Sequence, residues 1–292
     1  MKRIGLKIDV ETFRGTRLGV PKLIEGLQRH AARATFFFSL GPDCAGREQT
    51  RLSPGRFHDR LTRLYGLVLP APDIGRRCAA IIREVRDAGF EVGVLAWNRV
   101  RWEKNVLAAS NAWVESEMGR AVERFRELLG SPPMAHAAAG WRMNRHALRL
   151  TQRLGYAYAS DCRGNGPFVP VIDGEIVLCP QVPTTLPTID ELLAGAATTP
   201  DEAVELVLAE SARGAGDAVF TLRAESEGMR WPDSFGRLIG EWQSRGHEVV
   251  ALRELIASRD LSCLPRHALL LGQVPGRSGP RLIQGAGFPG PP

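Results

Sequence analysis

Several things are scarce in this chain. No apolar stretch among its 292 residues approaches the roughly 20 residues that cross a bilayer as a helix. The basic start Met1-Lys2-Arg3 is followed by Asp9 and Glu11, which interrupt what would be a signal-peptide core. Cys44, Cys78, Cys162, Cys179 and Cys263 form no CxxC pair and are odd in number, so reduced thiols are the simplest account. The histidines His30, His58, His136, His146, His247 and His267 include no pair at i and i+4. Each is expected to be a solvent-exposed or hydrogen-bonded structural residue. These absences predict a cytoplasmic protein and leave open a peripheral contact with an anionic inner-membrane face.

What is present is ordinary in amount: 44% hydrophobic and 24% charged residues, with a net charge of +6. That suffices for one large core or two small ones. Arg supplies nearly all of the positive charge, which favours anions read by fork-shaped donors. Phosphate groups, nucleic acid and membrane are all compatible with it, but no nucleic-acid motif accompanies the charge, so no nucleic-acid partner is expected.

The chain is organised around its first strand. An apolar run from Ile4 to Ile8 ends in Asp9 and Glu11, followed by Gly15. Strand side chains alternate, so both acids project to one side. They repel unless a metal, a proton or cations lie between them, and the C-terminal ends of parallel strands are where α/β folds build chemistry. The plainer alternative has one acid capping the turn and the other paired with a basic residue.

Strand-like and helix-like segments then alternate. Helices are predicted over Val20–Ala32, Asp73–Ala88, Ala108–Leu129, Asn144–Leu154, Thr199–Arg213, Ser234–Arg245 and Leu252–Ser258. Strands are predicted over Ala34–Leu40, Glu91–Leu95, Met134–Ala139, Tyr156–Ser160, Ala218–Leu222 and His247–Ala251, with short extended pieces in Gly166–Pro187. Gly41–Leu69 reads as a long basic loop with a short helix. About seven strands alternating with helices predict an α/β fold with a parallel barrel. Residues 1–265 form one domain with no internal repeat. Residues 266–292 are rich in Gly and Pro and predict a tail without regular structure.

The strand ends carry a resemblance. Asp9-Val10-Glu11-Thr12-Phe13-Arg14-Gly15-Thr16, Gly41-Pro42-Asp43, Ala137-Ala138-Ala139-Gly140-Trp141-Arg142, Ser160-Asp161-Cys162-Arg163-Gly164, Leu186-Pro187-Thr188 and Ala224-Glu225-Ser226-Glu227-Gly228 occur in this order. Over roughly residues 4 to 275 the chain resembles the polysaccharide deacetylase (NodB-homology) family, in the branch that deformylates undecaprenyl-phosphate-linked formamido-arabinose for lipid A modification. The resemblance implies a distorted (β/α) barrel of about seven strands. It also implies hydrolysis of an amide on an amino sugar, with a divalent metal such as zinc as cofactor.

Carried over residue by residue, the resemblance makes Asp9 the general base and Glu11 a metal ligand. The other two ligand positions, histidines in the family, read Leu95 and Arg99, with Asn98 and Val100 beside them. The late general-acid histidine corresponds to Arg223. Leu has no donor atom and Arg does not give up its proton, so Glu11, Leu95 and Arg99 are vestigial and no metal is expected. Arg142 is a candidate to orient Asp9, and Asp161 a further catalytic candidate. Arg14, Asn98, Trp141, Arg163, Glu225 and Glu227 are candidates for substrate contact. Trp97, Trp102, Trp141 and Trp231 are core residues by default, or together a platform for a sugar or lipid.

Two alternatives from different classes follow. The chain is either a non-catalytic relative that binds a lipid-linked amino sugar or sugar phosphate, or a partner such as an intact paralogue, or an amide hydrolase with a rebuilt or metal-free site. Loss of the ligand and acid histidines together favours the first. One or both of Arg99 and Arg223 are expected to reach Asp9 or Glu11 in place of the ion, lowering the carboxyl pKa values and leaving Asp9 a weak base. The plainer alternative leaves both arginines in solvent and pairs Asp9 with Lys7 or Arg142.

Overall fold

In the computed structural model residues 2–48, 59–214, 216–257 and 259–288 are described. The chain opens with β1 (Arg3–Val10), α1 (Val20–Arg29) and β2 (Thr35–Ser39). After a loop come α2 (Ile74–Arg77), α3 (Ala79–Asp87), β3 (Glu91–Ala96), α4 (Arg99–Asn105) and α5 (Asn111–Leu129). Then follow β4 (Ala135–His136), α6 (Arg145–Arg153), β5 (Tyr158–Ala159), β6 (Val169–Ile172) and β7 (Glu175–Ile176). The last third holds α7 (Ile189–Leu193), α8 (Pro200–Arg213), β8 (Ala218–Arg223), α9 (Pro232–Ser244) and β9 (Glu248–Val250). It finishes with α10 (Leu252–Ala257), β10 (Arg266–Gly272) and β11 (Arg281–Gly287). The middle of the 41–69 loop, His58 and Ser258 lie outside the described residues.

The parallel sheet runs β5-β4-β3-β2-β1-β8, with β9 paired to the first part of β1. Alternation along β1 divides the core. Ile4, Leu6, Ile8 and Val10 face outward to α1 and α9, packing with Leu23, Leu27, Phe235 and Leu238. Lys7 and Asp9 face inward. A side chain at Gly5 would place its Cβ 2.5 Å from Leu255, because α10 tucks under the strand and closes the barrel floor. The second core, inside the barrel, holds Phe37, Leu95, Ala135, Val219, Leu252 and Leu255.

Between β5 and β8 the barrel is completed by an irregular stretch. Val182 N donates to Ala159 O and Leu186 N to Val219 O, so residues 182–186 span the gap. This is the distorted (β/α) half-barrel the resemblance implies.

Sequence expectation and structure part company in several places. Residues 266–287 are not irregular: β10 and β11 pair antiparallel, and β10 pairs parallel with β6 in a second, four-stranded sheet. The short apolar run Ala268–Leu271 was outweighed by nearby Gly and Pro. The helix predicted over Asp73–Ala88 is two helices joined at Cys78, which adopts a non-helical conformation. α4 was not predicted, because Arg99-Val100-Arg101-Trp102-Glu103-Lys104 shows no clear apolar period. Its start is set by Asn98, whose side chain accepts from Arg101 N.

Candidate functional site

The parallel register places Asp9 opposite Arg223, at the C-terminal end of both strands. Glu11 is the first acid beyond β1 and is buried. Arg223 Nε donates to Glu11 Oε1 at 3.1 Å, and Arg99 Nε lies 3.5 Å from Glu11 Oε2. The two guanidiniums expected in place of the ion therefore converge on Glu11. Arg99 comes from the first turn of α4 and also meets Glu48 at 2.7 Å and Glu103 at 3.3 Å.

The pairing continues across the barrel mouth. Arg223 also binds the Asp190 carboxylate, and Arg277 lies 2.8 Å from Asp190 and 2.9 Å from Glu191. Arg163 follows, 3.5 Å from Glu191. Charges thus alternate through Glu48, Arg99, Glu11, Arg223, Asp190, Arg277, Glu191 and Arg163. Burial pushes the Asp190 carboxyl up, but Arg223 and Arg277 together hold it well below the usual carboxylate range.

Asp9 has a different partner. Lys7, fully buried two residues back on the same face, places Nζ 3.6 Å from Asp9 Oδ1 and donates to Ser160 O at 3.0 Å. Burial pushes Asp9 up despite Lys7 and Arg223, and pushes Lys7 down despite Asp9. The expectation that pairing lowers the Asp9 pKa is therefore reversed. The guanidiniums bind Glu11, and desolvation governs Asp9.

The remaining candidates sort by what they touch. Glu225 was expected at the rim facing substrate. Instead its Oε1 accepts from Glu11 N (3.1 Å), Thr12 N (2.8 Å) and Thr12 Oγ1 (2.8 Å), pinning the turn after β1. Glu227 is buried under Arg223 N, 2.9 Å from it, and burial pushes its carboxyl up to about 8. Asp161 is fully buried, 2.7 Å from His136 Nδ1 and 3.1 Å from Gln181 Nε2, so it braces the core instead of facing a ligand. His136 is thus the hydrogen-bonded structural residue expected. Asn98 caps α4 and donates to Pro42 O. Arg14 pairs with Asp59 at 2.5 Å on the partly exposed rim.

Arg142 donates to Glu103 O at 2.8 Å and Pro280 O at 3.4 Å, while Lys7 and Arg223 are the cations acting on Asp9. Leu95 packs inside the barrel. Trp97, Trp102 and Trp141 are buried, so these residues form no exposed sugar platform. Trp141 sits at positive φ (52°), its ring approached by Arg277 at 5.1 Å, Arg163 at 5.2 Å and Lys7 at 5.6 Å. Sequence reasoning named Lys7 only as an alternative partner of Asp9, and missed Glu48, Asp190, Glu191 and Arg277 altogether. The Thr188–Glu191 capping box was the one local signal for α7. Arg277 stood in the supposed tail.

The metal implied by the resemblance does not fit these residues. Leu95 has no donor atom, Arg99 stays protonated, and Glu11 is engaged by two guanidiniums. Among the described residues no group of three His, Cys, Asp or Glu side chains is placed to hold an ion.

The sequence profile of the polysaccharide deacetylase family matches residues 2–159, and the chain belongs to that family. A curated protein of Shewanella sediminis named "Probable 4-deoxy-4-formamido-L-arabinose-phosphoundecaprenol deformylase ArnD" is 36% identical, covering 95% of this chain and 93% of its own. Its counterpart of the same name in Wigglesworthia glossinidia brevipalpis is 30% identical over 91% of this chain and 96% of its own. Among solved structures, a Mycobacterium smegmatis protein assigned to the polysaccharide deacetylases shares the fold with a TM-score of 0.67 at 17% identity, over 94% of this chain and 96% of that one. A Bacillus anthracis pseudoenzyme of carbohydrate esterase family 4 shares it with a TM-score of 0.55 at 14% identity, over 87% of this chain and 65% of that one. A mutant of the latter with restored enzymatic activity superposes equally well.

Proposed function

We propose that this chain is a member of the deformylase branch that recognises a lipid-linked amino sugar without hydrolysing it by the family's metal chemistry. The observation that carries this reading is the engagement of Glu11 by Arg99 and Arg223, at positions where the resemblance puts a metal ligand and the general acid. A guanidinium neutralises a carboxylate but neither turns water into a nucleophile nor protonates a departing amine near neutral pH. The Bacillus anthracis pseudoenzyme and its reactivated mutant are precedents on the same fold. The ligand class comes from the names of the curated relatives, and peripheral contact with the membrane is how such a ligand would be met. Among the described residues no helix is long and apolar enough to cross a membrane.

One observation favours a metal-free hydrolase instead. Asp9 keeps the base position, has a raised pKa and stands 3.6 Å from Lys7. Formate release from the formamido-sugar lipid, with zinc, cobalt or manganese added, separates the two. The expected result is no release, no stoichiometric metal in protein purified without chelator, and saturable binding of the glycolipid. Turnover at an enzyme-like rate that disappears in Asp9→Asn would establish the hydrolase.

A further inference from the structure

A cavity of about 580 Å³ lies at the end of the barrel opposite the ion network. It opens beneath the first residues of three parallel strands: Glu91 begins β3, Met134 precedes β4 and Ala157 precedes β5. Arg253, Ile256 and Ala257 of α10 form its other wall. Asp9, Glu11 and Arg223 stand at the far end of the same sheet, so the cavity is separate from the site above.

Its lining is largely apolar, with Phe90, Phe125, Leu129, Met134 and Ile256. Glu91 supplies the polar end and is the one acid in the lining. Its Oε2 accepts from Thr35 Oγ1 (2.6 Å), Tyr158 OH (2.8 Å) and Arg253 N (3.2 Å). All three donors converge on one oxygen, leaving Oε1 with no protein donor among the described residues. Burial pushes this carboxyl up in spite of them, towards the neutral form.

The charged groups at the mouth are arginines. Arg86 lies 2.7 Å from exposed Asp87, and Arg259 lies 3.7 Å from Asp217. Arg253 is exposed, and its charge acts on Glu91 across the cavity wall. A concave apolar wall with a few convergent polar groups is the usual form of a small-molecule site, and this volume lies within the usual range of roughly 300–1,000 Å³.

We propose that this cavity binds a single-chain anionic amphiphile, its apolar chain against Phe90, Phe125 and Ile256 and its carboxylate or phosphate head on Arg253. The head is anionic because three guanidiniums, Arg86, Arg253 and Arg259, line the cavity against the single acid Glu91, and Arg253 is exposed. Desolvated aromatic and aliphatic walls select a hydrocarbon over a sugar, whose hydroxyls would find few partners.

The test is calorimetric titration of the full chain with dodecanoate, dodecyl phosphate and dodecyltrimethylammonium. Saturable binding of one anion per chain is expected, at least tenfold tighter than the cation. Arg253→Ala should weaken it about tenfold, and Ala257→Trp, at an exposed position, should block it. If circular dichroism shows that Ala257→Trp has unfolded, Ala157→Phe fills the cavity from the opposite wall and should block it likewise. The tighter of the two anions identifies the head group. The assignment is overturned by lack of saturable binding, by equal affinity for cation and anions, or by wild-type affinity in both Arg253→Ala and a folded filling variant.

Discussion

Arg223 Nε stands 3.1 Å from one oxygen of Glu11 while Arg99 Nε stands 3.5 Å from the other. Two like charges about 5 Å apart repel by roughly 3 kcal/mol at an effective dielectric near 20. A site holding Asp9 and Glu11 together therefore needs compensating charge. Here it is built into the chain, with Lys7 at Asp9 and the two guanidiniums at Glu11.

Removing the centre of the alternating ion chain should be costly. Arg223→Leu strips a partner from both Glu11 and Asp190, and is expected to lower stability by about 3–5 kcal/mol, the usual effect of orphaning a buried charge. Arg14→Ala, which breaks the more exposed pair with Asp59, should cost less than about 1 kcal/mol. Urea denaturation compares the two, and equal losses would mean the buried network contributes nothing special.

Arg277 tests whether the C-terminal segment belongs to the barrel. Its side chain is only 4% exposed and contacts Asp190 and Glu191. Arg277→Ala should therefore destabilise by about 3 kcal/mol. A detached tail would give no change in the same melt.

Glu227 gives a pH dependence of definite sign. Its folded pKa, about 8, lies above the ordinary glutamate value near 4.3. Between those values the unfolded chain has released a proton that the folded chain keeps, so stability falls as pH rises through that window. Glu227→Gln keeps an acceptor for Arg223 N and does not titrate. Its melting temperature should match wild type near pH 4, exceed it increasingly up to about pH 8, and hold that lead above. A constant difference at every pH would contradict the assignment.

Gly15 is required by closeness to Glu225. A Cβ there would lie 2.0 Å from Glu225 Oε1, an atom fixed by three donors of the β1 turn. Gly15→Ala should cost about 2 kcal/mol or more. Combining it with Glu225→Ala should cost less than the sum of the two single changes, since Glu225→Ala removes the atom that the added methyl would strike. Strict additivity in a double-mutant cycle would rule the contact out as the cause.

The sequence by itself determined the elements whose causes are local. The apolar run closed by Asp9 and Glu11 marked β1, Asn144 marked the start of α6, and Arg at two histidine positions announced that cations would meet the acids. Capping and alternation act over a few residues and can be read there. Only the tertiary structure decided which acid each cation takes. Arg223 lies 212 residues from Glu11, and Asp190 and Arg277 carry no local mark of their role. It also decided that Lys7 serves Asp9, that Asp161 braces His136, and that the Gly- and Pro-rich end pairs with β6. Long-range pairing depends on where the folded backbone brings side chains and on how much water it removes from them. Burial, which raises the pKa of Asp9 while paired arginines hold that of Asp190 down, exists only once the chain has folded.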